Sequence, residues 1–80
     1  MRVFEDGSGV VWVASVAERE GEDYKGRFVL EFSRKDEPRN GAAPLVDVRW
    51  NSSKTAERTL KTMSRVELLR RLRAALGRQG

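Results

Sequence analysis

The 80-residue chain contains no cysteine and no histidine, and it carries a formal net charge of +4. Without these residue types it lacks Ser-His-Asp and Cys-His nucleophilic machinery, Cys/His zinc sites and disulfides. A chain of this size buries only about 60–65% of its unfolded surface, so its core is thin and self-association is one way to bury more. We therefore expect a protein that is not an enzyme, with no catalytic residue, no metal and no cofactor.

Charge is distributed unevenly along the chain. Residues 1–47 hold seven Lys/Arg against ten Asp/Glu, a net charge of −3, whereas residues 48–80 hold nine against two, a net charge of +7. Such asymmetry indicates an anionic partner or a basic surface that pairs with the acidic half. We predict a single small domain over residues 1–80, with an acidic sheet half at 1–50 and a basic helical half at 51–77.

The N-terminal residues and the apolar segments predict a cytoplasmic location and no membrane partner. Glu5 and Asp6 stand where a signal peptide would be apolar. The longest apolar run, Val10 to Ala14, is far shorter than the roughly 20 residues that cross a bilayer.

Four strands are predicted in the first half, at residues 3–5, 10–17, 27–33 and 45–50. Asp6 and Gly7 open a turn that joins the first two strands in a hairpin. The second strand is apolar or small on both faces, which predicts a central strand covered on both sides. Alternation in the later strands assigns one side of each to the core: Phe28, Leu30, Phe32, Val46, Val48 and Trp50.

Helical spacing begins after the fourth strand. Asn51, Ser52 or Ser53 can cap a first helix, and Ser64 with Glu67 forms a capping box for a second. Gly77 is expected to end the second helix in a left-handed conformation. The pattern predicts an α+β fold: an antiparallel sheet of about four strands, followed by one bent or two short C-terminal helices packed on one face. The strand order stays open.

A basic stripe is the sharpest functional candidate. Its first four residues recur at i, i+4, i+7 and i+11, so they share one face within roughly 60° if the helix continues across Ser64. Such a face can bind phosphates, although a solvated outer helix face has the same pattern. The nucleic-acid hypothesis names six residues: Lys54, Arg58, Lys61, Arg65, Arg70 and Arg71.

The second hypothesis is a protein-interaction or self-associating module, possible as a homodimer. If helices cover only one side of the sheet, one apolar row of the second strand remains open, either the row of Trp12 or the opposite row of Val13, and these two residues are the candidates. The aromatic residues of the strands are expected in the core rather than stacked on bases, while Tyr24 is expected to be exposed.

An acidic loop separates the second and third strands, with carboxylates at Glu18, Glu20, Glu22 and Asp23. It lacks the ligand spacing of a calcium loop, which favours a solvated loop over a metal site. The loop is also able to meet the basic helices of a second copy. Nucleic-acid binding and self-association thus remain as compatible hypotheses, because a dimer would double the basic surface.

Overall fold

The computed structural model describes residues 1–18, 28–37 and 43–77. Its elements, in chain order, are β1 (Arg2–Glu5), β2 (Val11–Glu18), β3 (Phe28–Arg34), β4 (Ala43–Trp50), α1 (Ser53–Thr62) and α2 (Arg65–Gly77). The four strands pair antiparallel in the order β1-β2-β3-β4, so each strand lies beside its neighbour in sequence. The predicted α+β class, with two C-terminal helices on one face of the sheet, is confirmed.

The turn between β1 and β2 has the conformation that its sequence predicts. Gly7 and Gly9 have φ values of 92° and 96°, in the region that favours glycine. Asp6 accepts hydrogen bonds at Oδ1 from the backbone N–H of Ser8, at 2.8 Å, and from its hydroxyl, at 2.6 Å. This Asx turn sets the register in which Val3 lies opposite Val13.

The core lies between the helices and one face of the sheet. Ala14 of β2 and Phe32 of β3 are neighbours in that face and are fully buried. Leu60 of α1 and Leu68 of α2 pack against them, and the ring of Phe4 meets that of Phe32 edge to face at 6.2 Å. Each such large side chain stabilises the fold by about 1.5–3 kcal/mol through apolar burial.

The predicted core side is confirmed for β3 and for the end of β4, but at the start of β4 the buried core residues are Ala43 and Leu45, which the alternation turned outward. Leu30 and Phe32 are buried, and Val48 and Trp50 are half-buried against the same core. Phe28 is half-buried, whereas Val46 belongs to the part of β4 whose side chains lie outside the described structure.

Strand β4 is longer and less regular than its pattern predicts. Leu45 lies opposite Leu30 and Trp50 opposite Phe28, so a step of two residues on β3 matches a step of five on β4. Pro44, a loop marker in the sequence, lies inside β4 opposite Glu31. Because β4 is an edge strand, a residue without an N–H is tolerated there.

Both helix starts are capped by the predicted residues. The hydroxyl of Ser52 accepts from the N–H of Thr55 at 3.4 Å, and that of Ser64 accepts from the N–H of Glu67 at 3.1 Å. The helical conformation ends at Met63, between the two helices, where the backbone is extended with φ −69° and ψ 137°. Gly77, predicted to be left-handed, instead belongs to α2 and has no positive φ.

The covering of β2 differs from the prediction. It is an inner strand, as expected, but within the described residues both helices pack on the side of Ala14. Val13 and its same-face neighbours on β2 are half-buried and face away from the helices. Apolar residues on both faces therefore predicted a central strand correctly; of the described elements, both helices lie on the Ala14 side and none lies over Val13.

Candidate functional site

Three of the predicted basic residues share the outer side of α1. Ala56 and Leu60 turn toward the core, and at about 100° per residue Lys54, Arg58 and Lys61 lie within roughly 60° of one another on the opposite side. All three side chains are exposed. We call these three residues the α1 cation stripe. They line a surface depression of about 500 Å³.

The side chains of the α1 cation stripe make no hydrogen bond or ion pair with any residue in the described segments. The nearest acid on this side is Glu57, which lines the same depression. Its carboxylate is 53% exposed and lies 3.8 Å from the amino group of Met1. The stripe therefore keeps its positive charge available to a ligand.

Arg65 does not extend the stripe, because the break at Met63 ends the helical progression before it. Its Nη2 donates a hydrogen bond of 3.0 Å to the backbone carbonyl of Glu5. This contact joins the start of α2 to the end of β1. The sequence hypothesis depended on a helix continuous across Ser64, and the structure has two helices there.

Arg70 and Arg71 lie on α2 and share one acidic neighbour. Their guanidinium groups approach the carboxylate of Glu67 at 3.6 Å and 3.3 Å. The Nε of Arg71 is buried and lacks hydrogen-bond geometry toward this carboxylate. Both residues are thus apart from the α1 cation stripe and partly neutralised.

Sequence reasoning missed the role of Arg2. Its Nη1 donates to the backbone carbonyls of Leu60, Lys61 and Met63, at 3.1, 3.0 and 2.8 Å. These oxygens belong to the last turn and the cap of α1, where few carbonyls find a partner within the helix; only that of Leu60 also accepts from the N–H of Met63, at 3.3 Å. A guanidinium there also lies at the negative end of the helix dipole. The partners are 58 to 61 positions apart in sequence, so no local pattern predicts the contact.

The two proposed interaction residues lie on opposite faces of the sheet. Trp12 is on the helix side, half-buried against the core, and its indole N–H donates to Asp6 Oδ2 at 2.8 Å. Hydrogen bonds from Ser8 and from Trp12 lower the pKa of Asp6 to about 2. Trp12 is therefore a structural residue, and only Val13 remains on the face that the helices leave open.

The open face centres on β1 and β2. Val3, which is 49% exposed, lies opposite Val13, and Val11 follows on the same side of β2. Toward β3 most residues of this face are small, polar or acidic: Ser15, Ala17, Glu31 and Ser33. Val29 lies on the same face and is fully buried. We call Val3, Val11 and Val13 the valine patch.

A second depression, of about 400 Å³, lies between the β1–β2 turn and the end of β3. Its Arg34 donates from Nε and Nη2 to the two carboxylate oxygens of Asp36, each at 3.1 Å. The guanidinium lowers the pKa of Asp36 and is itself occupied by it. This cation is consequently a poor candidate for a ligand site.

In the described segments no group of three or more acidic side chains is arranged to hold a metal ion. Of the acidic loop, Glu18 ends β2, whereas Glu20, Glu22 and Asp23 lie outside the described residues, as does Tyr24. In the same segments, neither helix is long and apolar enough to cross a membrane.

Comparison of the chain with protein-family models, with curated proteins and with solved structures finds no match. Function is therefore inferred from the two surfaces above, the valine patch and the α1 cation stripe.

Proposed function

We propose that this chain is a self-associating module that forms a homodimer through the open face of its sheet. The observation that carries the proposal is the valine patch, with three apolar side chains side by side on a face that neither helix covers. Such patches are typical of protein contacts when polar residues border them, as Glu5 and Glu31 do here.

The shape of this face suits a second sheet. Apart from Glu5 and Glu31, the side chains of this face are small (valine, alanine and serine), which allows two sheets to pack at about 10 Å. The valine patch lies on two strands, β1 with four residues and β2 with eight, spaced about 4.8 Å apart. Its area is therefore well below the roughly 800 Å² per partner in a standard interface, so we expect a dissociation constant in the micromolar range or weaker.

Pairing at the sheet edges is less favourable than face-to-face packing. At the β1 edge, the carbonyl of Glu5 already accepts from Arg65. At the β4 edge, Pro44 has no N–H to offer an added strand. Both features are devices by which proteins avoid edge association, and they leave the open face as the better contact.

The test is sedimentation velocity over about 1 to 500 µM protein, a span that brackets the expected dissociation constant. The sedimentation coefficient of the unmodified chain should rise with concentration, and Val13→Asp should hold it at the monomer value by placing a charge in the patch. Ala74→Asp, on an exposed position of α2, is the matched control and should dimerise normally. A monomer at every concentration, or equal loss in both variants, would overturn the proposal.

A further inference from the structure

The outer side of α1 is a charged surface that self-association does not use. The helix packs over β2, β3 and β4 on the covered face of the sheet. The α1 cation stripe points away from that contact, so a dimer built on the open face leaves it accessible. An inference drawn from the stripe therefore stands independently of the proposed function.

Several described basic residues are engaged by the fold, whereas the three of the α1 cation stripe are not. Arg2 and Arg65 donate to backbone carbonyls, and Arg34 is held by Asp36. Lys54, Arg58 and Lys61 have no such contact within the described segments, and all three lie on one helix face. Three positive charges with no partner in the described segments are thus concentrated around one depression, which favours binding of an anion there.

The chemistry of this face favours phosphate over other acidic ligands. The exposed positions on the outer side of α1 are polar or charged, so the helix lacks the apolar side with which amphipathic helices enter a lipid surface. Protein contacts concentrate their energy in aromatic and apolar anchors, which this side also lacks. Lys and Arg instead supply the sequence-independent attraction of a phosphate backbone.

The spacing of the stripe matches a run of phosphates. From Lys54 to Lys61 the helix rises about 10.5 Å, at 1.5 Å per residue. Along the duplex axis one strand of B-DNA advances about 3.4 Å per phosphate, so a stripe lying parallel to that axis spans about three of them. Helix α1 contains no aromatic residue, so it offers no platform of its own for stacking bases.

We propose that α1 binds the phosphate backbone of nucleic acid through Lys54, Arg58 and Lys61, without reading bases. Three phosphate contacts predict a log–log salt slope of about −2.7 on duplex DNA and about −2.1 on a single strand. Between about 50 and 200 mM salt, affinity should fall roughly 40-fold for the duplex and roughly 20-fold for the single strand. Two duplexes of unrelated sequence should bind equally.

The experiment is fluorescence anisotropy with a labelled duplex and a labelled single strand of about 20 nucleotides, a length several times that of the predicted contact. Arg58→Gln should reduce the magnitude of the salt slope by about one. Changing all three stripe residues to Gln should abolish binding. Glu57→Gln, which removes the acid beside the stripe, should tighten binding. Arg73→Gln is the matched control, since Arg73 is exposed on α2 and unpaired within the described residues.

Three outcomes would overturn the proposal. They are no binding at about 50 mM salt, an equal loss for Arg58→Gln and Arg73→Gln, and tighter binding to anionic phosphatidylserine vesicles than to either nucleic acid. The urea midpoint of each variant shows whether a loss of binding reflects unfolding. Glu57→Gln keeps the test decisive, because the expected increase in affinity cannot result from unfolding. Val13→Asp should leave the salt slope unchanged, which separates this inference from the dimer.

Discussion

Replacing Arg2 by methionine should destabilise the fold by about 2 kcal/mol. The change keeps an aliphatic stem of similar length but removes the guanidinium that joins Leu60, Lys61 and Met63. Hydrogen bonds to a charged group contribute roughly 1.5–3 kcal/mol, and a partly buried cation at a helix C-terminus contributes up to about 2 kcal/mol. These figures describe the same contact, so they are not added, and the half-buried site favours the lower part of the range.

Urea denaturation followed by tryptophan fluorescence measures this effect. With a slope of roughly 1 kcal/mol per molar urea for a small domain, the midpoint should fall by about 2 M. The melting temperature should fall by roughly 8–16 °C, at about 4–8 °C per kcal/mol for a domain of this size. Protein at about 1 µM keeps dimerisation from adding to the apparent stability.

Two further variants separate the cause of the loss. Arg73→Met removes an exposed arginine on α2 and should change the free energy of unfolding by less than about 0.5 kcal/mol. Arg2→Lys should keep part of the stability, because all three carbonyls contact Nη1 alone and an ammonium group supplies three donors. If Arg2→Met costs no more than Arg73→Met, the cap contributes nothing and the reasoning is wrong.

Three other perturbations test separate parts of the fold. Hydrogen bonds from Ser8 and Trp12 hold the pKa of Asp6 at about 2 in the folded protein, against 3.8 in the unfolded chain. The stabilisation they give is therefore complete above about pH 4 and is lost as the pH falls through 2. The tryptophan emission of the folded protein should change as the pH falls through this range, and Asp6→Asn should remove the transition. Ser64→Ala removes the cap of α2 and should cost about 1 kcal/mol in urea denaturation, whereas Ser53→Ala, beside the first cap, should cost much less. Leu60→Ala opens a cavity in the core and should cost about 2–5 kcal/mol, and a loss below about 1 kcal/mol would mean that α1 is not packed as described.

The features that sequence predicted well are those whose physical cause is local. Asp6 and Gly7 specify a turn by their own backbone preferences, and Ser64 with Glu67 marks a helix start within four residues. The alternation of Leu30 and Phe32 assigns a core face because strand side chains have a period of two. Each of these predictions needed information from one short segment alone.

The features that sequence missed arise from contacts between distant segments. Arg2 caps a helix 58 residues away, and Arg65 leaves the predicted stripe because one extended residue, Met63, ends α1. Pro44 reads as a loop residue until the sheet order places it on an edge strand. Trp12 and Val13, adjacent in sequence, face opposite sides of β2, and only the position of the helices decides which of the two rows they cover.

The same reasoning changes how the +7 charge of the C-terminal half is understood. A count of basic residues treats each as equally available, but Arg65 serves a backbone carbonyl, and Arg70 and Arg71 share Glu67. The charge open to a ligand is concentrated on the outer side of α1, opposite the valine patch across the sheet. Because the two surfaces face in opposite directions, a face-to-face dimer would place its two stripes on its two outer sides. Such a dimer would be built to bridge two nucleic-acid segments rather than to grip one more tightly.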